Sequence, residues 1–222
     1  MKRFTVPLIL TSLLAVVFAT AALAEPKVMV ADRSHSEIGF NIRHFFNKVH
    51  GRFNDYTLKL MLDPKNLAAS SVEVVIRDSS IDTGNPHRDE DLRGDDFFQT
   101  AKFPNVTFKS TKVIPGADSA HFQVAGDFTI RDVTKPVTLD VELLGMGMIG
   151  GGGRPPHLEA GYLATTKIKR QDYGILWNRT FDQGGVMLGD DVEIVLNIAA
   201  REKPTGPPPG APATPPPAAS KK

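Results

Sequence analysis

The feature that most limits what this chain can become is an alternation of apolar and polar residues with period two, restarted many times between turn residues. Successive side chains on a strand point to opposite faces, whereas a helix needs a repeat near 3.6, so the pattern calls for sheet. Ile38, Phe40, Ile42 and His44 share one face of the first run, with Gly39, Asn41 and Arg43 on the other. Gly51 is expected to permit a sharp bend. Leu58, Leu60 and Leu62 alternate with Thr57, Lys59 and Met61 until Asp63-Pro64 ends the run, and Val72, Val74 and Ile76 follow. Later runs carry Val106, Phe108 and Ser110, then Phe122, Val124, Gly126, Phe128 and Ile130. Val137, Leu139, Val141 and Leu143 come next, then Tyr162, Ala164, Thr166 and Ile168, and last Val192, Ile194, Leu196 and Ile198.

Only the stretch from Asn85 to about Gln99 breaks this rhythm. Asn85 before Pro86 is a cap followed by a first-turn proline, and Asp89, Glu90 and Asp91 stand where a helix N-terminus favours acids, so one or two short helical turns are expected. About eight strands in succession with one helical insertion argue for an all-β antiparallel meander. Such a sheet closes most simply as a barrel, with a two-layer sandwich as the rival, because alternation does not separate two inner faces from one lumen.

The ends of the chain are of a different kind. Lys2 and Arg3 precede an apolar stretch from Val6 to Phe18, and Ala22-Leu23-Ala24 supplies small residues for cleavage, so residues 1–24 are expected to be a secretory signal peptide. The apolar stretch is shorter than the ~20 residues a spanning helix needs, and no stable membrane insertion of the mature chain is expected. From Pro204 to Lys222 the residues are Pro, Gly, Ala, Ser, Thr and Lys, including Pro207-Pro208-Pro209 and Pro215-Pro216-Pro217. With almost nothing to bury, this segment is expected to be a disordered, polyproline-like tail. Residues 25–203 remain as one domain, large enough for a sizeable interior.

Charge and chemistry exclude several functions. With 26 basic and 25 acidic residues the chain offers no electrostatic case for nucleic acid. The absence of cysteine removes disulfides, thiol nucleophiles and thiolate metal sites together. His35, His44, His50, His87, His121 and His157 are scattered without H-E-x-x-H spacing, and neither a G-x-S-x-G elbow nor a phosphate loop is present, so no catalytic or metal residue and no cofactor is assigned. His35 beside Ser36 does not form a nucleophile and base, since neighbours on a strand face opposite ways.

Asp32, His35-Ser36, Phe40, His44, Gly51 and Phe53 together resemble the opening of the YceI-like family, the polyisoprenoid-binding, lipocalin-like periplasmic proteins. The middle of that family is matched by Ile81-Asp82-Thr83-Gly84 leading to Arg88-Asp89, then Leu92-Arg93, Asp96-Phe97-Phe98, Phe103-Pro104 and Phe108-Lys109-Ser110. Val133-Thr134-Lys135-Pro136-Val137, Ala164-Thr165-Thr166, Arg170-Gln171-Asp172-Tyr173-Gly174-Ile175 and Gly189-Asp190-Asp191-Val192 resemble its second half. The likeness runs from about Ala31 to Ala199. Gly145 to His157 departs from it, and the proline tail lies outside it.

The resemblance implies an extended, eight-stranded lipocalin-like barrel that is exported to the periplasm, often dimeric and not an enzyme, holding a polyprenyl or isoprenoid-quinone chain, with a stress-response role within range. By pattern alone the inward residues more simply pack a solid core; the resemblance reverses that preference. It makes candidate cargo contacts of Ile38, Phe40, Ile42, His44, Leu58, Leu60, Val106, Phe108, Phe128, Ile130, Leu139, Val141, Tyr162, Ala164, Ile194 and Leu196. Trp177 joins them from the loop between Gly174 and Asp191, as an anchor for that loop or as a lid. Ala164, Thr166 and Gly126 are expected to leave room beside the bulkier side chains. A head group is expected near an open end, within reach of His44, Arg88 or Asp89, with Arg88 and Asp89 also expected as a pair tying the insertion to the barrel. Gly150 to Gly153 is expected to be loop. The alternative is an envelope or stress protein acting through protein contacts, in which the tail takes part; an unrecognised enzyme ranks below that.

Overall fold

The computed structural model describes residues 26–151, 154–180 and 185–203. The proposed signal peptide and the proline tail lie outside the described residues, as do Gly152 and Gly153.

Alternation has become a closed antiparallel barrel, because every strand must bury one apolar face and closure leaves no edge to water. The wall has eight staves. The first three are interrupted. β1 (Lys27–Ala31) and β2 (Glu37–His44) both pair with the last strand, end to end; β3 (Asn47–Phe53) and β4 (Tyr56–Leu62) form the second stave; β5 (Ser71–Arg77) and the two-residue β6 (Ile81–Asp82) form the third. Five continuous strands follow: β7 (Asn105–Pro115), β8 (His121–Ile130), β9 (Val133–Gly151), β10 (Arg154–Lys169) and β11 (Leu188–Glu202). β11 closes the ring by pairing with β10 on one side and with β1 and β2 on the other.

The helical insertion is α1 (Pro86–Arg93), capped as expected by the Asn85 side chain, which accepts from the Arg88 backbone N–H at 3.3 Å. Among the described residues β6 pairs only with β3, and residues 83–104, which include α1, connect β6 to β7.

Three expectations need correction. Gly51 makes no bend: it lies within β3 opposite Phe40, and a Cβ there would run into the Phe40 ring, so glycine is required by close approach. Gly126 leaves no free room, because the Phe108 ring already fills the place of its side chain. Gly150 and Gly151, expected as loop, belong to β9, while Gly152 and Gly153 lie outside the described residues. β9 and β10 stay paired through this region as a two-stranded arm that runs on past the last β8 partner, Glu142, with a bulge between Gly161 and Tyr162.

Candidate functional site

The barrel is hollow. Phe40, Leu58, Leu60, Val72, Tyr162, Ile194 and Leu196 pack toward the core yet are only half-buried, since they border an empty lumen. Across from them Val106, Phe108, Phe128, Ile130, Leu139 and Val141 are buried and form a firmer wall. The cavity measures about 660 Å³, within the ~300–1,000 Å³ usual for small-molecule pockets. All sixteen strand residues singled out from the sequence, and Trp177 with them, stand on its wall. They come together because one face of every stave points inward.

The two ends of the lumen differ. Toward the β9–β10 arm it stops against Leu62, Val113, Phe122 and Ile198, all buried. At the other end the bordering side chains include Glu90, Asp91, Asp95, Asp96 and Arg179, all exposed, which marks the mouth. Two segments meet over it. Phe97, just after α1, contacts Trp177 with ring centroids 5.3 Å apart, and Arg179 lies over the indole at 5.8 Å. Trp177 thus serves as contact between two mouth segments as well as wall.

Of the polar groups expected at the mouth, His44 and Arg88 border the cavity, whereas Asp89 does not. Arg88 and Asp89 do not pair with each other. Both are tied to Thr83: Arg88 donates from Nε to Thr83 Oγ1 at 2.7 Å and from Nη2 to its carbonyl at 2.8 Å, while the buried Asp89 carboxylate accepts from Thr83 N at 2.9 Å and Oγ1 at 2.6 Å. A carboxylate satisfied this way holds the first turn of α1 against the end of β6.

Two arginines not among the candidate site residues organise the mouth. Arg170, 3% exposed, donates to the carbonyls of Gly189 at 2.8 Å, Ile175 at 2.7 Å and Trp177 at 2.8 Å, so it folds the loop back over the barrel. Burial lowers its pKa and it faces the lumen; among the described residues its Nη2 has no hydrogen-bond partner and no carboxylate lies in ion-pair range. Arg131, in the β8–β9 turn, bridges the two mouth segments by donating to Gly174 O at 2.9 Å and Asp95 O at 3.1 Å. The only motif-level signal was the run from Arg170 to Ile175; Arg131 had none.

Tyr162 brings a polar atom into the deep part of the lumen. Its hydroxyl has no hydrogen-bond partner among the described residues, and burial pushes its pKa up to about 12. Elsewhere, Asp32, Ser34 and His35 cluster in an exposed turn, but Ser34 Oγ and Asp32 Oδ2 both approach the same ring nitrogen, Nδ1, at 3.1 and 3.2 Å. A relay needs them on opposite nitrogens. Among the described residues no group of three or more His, Asp or Glu side chains is arranged to hold a metal ion, and no helix is long and apolar enough to cross a membrane.

A closed antiparallel barrel with a long apolar lumen and charges only at its mouth defines a class of proteins that enclose an apolar molecule, and this architecture supports lipid binding in general. The YceI-like domain matches residues 29–200, and the chain belongs to that family. It is 38% identical over 181 residues to the UPF0312 protein of Yersinia pestis, covering 81% of this chain and 88% of the relative, and 37% identical over 171 residues to Protein YceI of Escherichia coli, covering 74% and 86%. Among solved structures, Campylobacter jejuni YceI superposes with a TM-score of 0.62 at 31% identity, over 78% of this chain and 96% of that one. Burkholderia cenocepacia BcnA, with a TM-score of 0.66 at 21% identity, and a polyisoprenoid binding domain from Saccharophagus degradans, 0.53 at 16%, share the fold; they cover 76% and 79% of this chain and 98% of each neighbour.

Proposed function

We propose that this protein is an exported, non-enzymatic carrier that holds one long isoprenoid lipid, of the polyprenyl or isoprenoid-quinone type, along the barrel lumen. The observation that supports it most is the half-burial of inward apolar side chains around an elongated hollow: a solid core would have closed over them. The same fold serves a polyisoprenoid binding domain in Saccharophagus degradans, which supports the choice of cargo class. An apolar chain gains roughly 0.8 kcal/mol per buried methylene before ordering costs, so a few isoprene units suffice, and the lumen's length, more than the chain's detailed chemistry, sets which chains fit. The sixteen wall residues and Trp177 are the cargo contacts in this reading, with the head group at the mouth near His44, Arg88 and Arg170. The periplasm follows from the basic, apolar and small-residue sequence of residues 1–24, and a stress-related role is compatible with a carrier there.

The test is lipid extraction and identification from protein purified from its own compartment, followed by titration of the emptied protein with an isoprenoid quinone. Stoichiometric isoprenoid, retained after deletion of residues 204–222, is the expected result. Leu196→Trp, which fills the hollow without adding a charge, is expected to lower uptake by at least about tenfold while the fold persists. Empty protein that takes up no isoprenoid would sink the carrier reading and return weight to an interaction role through the tail.

A further inference from the structure

The mouth carries something a closed vessel does not need. Phe46 is 95% exposed, Leu176 67% and Val186 43%, and all three stand at the mouth end. They do not belong to separate loose loops. The Phe45 N–H donates to Met187 O at 2.7 Å, Met187 N–H to Arg179 O at 2.8 Å, and the Asn178 side chain brackets Leu188 by donating to its carbonyl and accepting its N–H. Arg43 donates to Phe45 O at 3.0 Å and Val186 O at 3.3 Å. The apolar tips are therefore held by backbone lacing at fixed positions. Leu176 is exposed because its neighbours Ile175 and Trp177 are turned inward, the first buried and both bordering the lumen.

Charge divides the mouth into two sides. Glu90, Asp91, Asp95 and Asp96 crowd the α1 side. Beside the apolar tips stand Arg43 and Arg179, together with Lys48, whose charge is already met by Glu193 at 2.9 Å; Asp190 faces Lys169 instead. Apolar prongs beside arginines that have no carboxylate in ion-pair range among the described residues are the chemistry that inserts into a headgroup layer and pairs with lipid phosphate.

We infer that the protein docks its mouth on an anionic lipid bilayer, with Phe46, Leu176 and Val186 entering the interface and Arg43 and Arg179 meeting phosphates, so that cargo passes between bilayer and lumen without crossing water. This inference rests on the lipid-carrier reading, but of its surface only Arg179 borders the cavity; Phe46, Leu176, Val186 and Arg43, which include the side chains changed in the test, do not.

The test is co-flotation of the mature, full-length protein with phosphatidylcholine vesicles with and without phosphatidylglycerol, alongside isoprenoid-quinone titration in solution. The wild type is expected to float with the anionic vesicles, less so as salt rises. Phe46→Ser with Leu176→Ser is expected to weaken partition by about tenfold or more, and Arg43→Gln to remove the preference for anionic lipid. Titration in solution stays unchanged in both variants. Leu144→Ser with Met148→Ser, at the opposite end of the barrel, leaves flotation as it was. No flotation by a protein that does bind isoprenoid overturns the docking inference and leaves these side chains to a protein partner or a second copy. Flotation lost with the Leu144 and Met148 pair, or untouched by the mouth variants, overturns it as well. Flotation through the mouth by a protein that takes up no isoprenoid would sink the carrier reading and keep the docking surface.

Discussion

The two ends of this barrel expose apolar side chains to a similar extent and in different settings. At the mouth, Phe46, Leu176 and Val186 sit on laced loops beside arginines and an opening. At the closed end, Leu144, Met146, Met148 and Ile149, between 46% and 60% exposed, lie along the part of β9 that runs beyond β8, with no charged residue from Leu143 to Gly151. The difference teaches how to read exposed apolar surface. What surrounds it decides: prongs with cations at an opening suit a lipid surface, whereas an uncharged strand edge suits another strand. Interior polarity divides the same way, with buried arginine and acids at the mouth and, toward the plug, neutral hydroxyls: the Tyr162 phenol and the buried Ser70.

Phe122 carries the largest expected effect. It is 8% exposed, packs edge-on against Tyr162 at 6.4 Å and closes the lumen from below. Phe122→Ala is expected to cost about 3–5 kcal/mol in urea unfolding, because the arm's Leu158 and Ala160 are already buried and leave little slack to collapse. The same change lengthens the hollow. If the plug sets cargo length, the variant shifts the bound population toward longer isoprenoids by mass spectrometry; an unchanged chain length would mean that the mouth, not the plug, measures the cargo.

How far this asymmetry was legible in the sequence depends on the residue. Inward faces on all eight staves follow from alternation, down to His44 and Ala164. β1 is hidden because Lys27–Ala31 adjoins the cleavage region, β6 because two residues make no period, and β3 because a glycine such as Gly51 signals a bend in sequence, whereas here its lack of a side chain seats Phe40. Hollowness is not encoded by alternation, since a lumen and a solid core demand the same inward apolar residues. Arg131 and Arg170 act by reaching across the mouth to carbonyls up to 43 residues away, a relation no local pattern carries.

A middle-sized effect belongs to Asp78, in the turn between β5 and β6 on the mouth side. It is 1% exposed, neither carboxylate oxygen has a well-formed hydrogen bond among the described residues, and burial, outweighing the nearby Ser79 backbone N–H, pushes its pKa up to about 6 from 3.8. A raised folded pKa means that the folded state holds the proton more tightly. The resulting stability is present in full below about pH 4 and is lost as pH rises through about 6. Asp78→Asn is expected to flatten this slope and to raise stability at neutral pH by on the order of 2 kcal/mol. Unfolding midpoints at pH 4 and pH 7 check it; an unchanged slope would place the titration elsewhere.

Tyr162→Phe is the smallest change and bears most directly on the contrast between the ends. Removing a hydroxyl that has no partner among the described residues loses no hydrogen bond, and the ring keeps its edge contact with Phe122, so stability is expected to stay within about 0.5 kcal/mol of wild type. What the variant reads is cargo orientation. With the head group at the mouth, only the apolar tail reaches Tyr162, and isoprenoid-quinone affinity is unchanged or slightly raised. With the head group deep, the phenol donates to it, and removing that donor from an apolar lumen weakens binding by about tenfold. A tenfold loss would reverse the polarity assigned to the two ends, placing the recognised group beside the plug and leaving Arg170 to hold the loop alone.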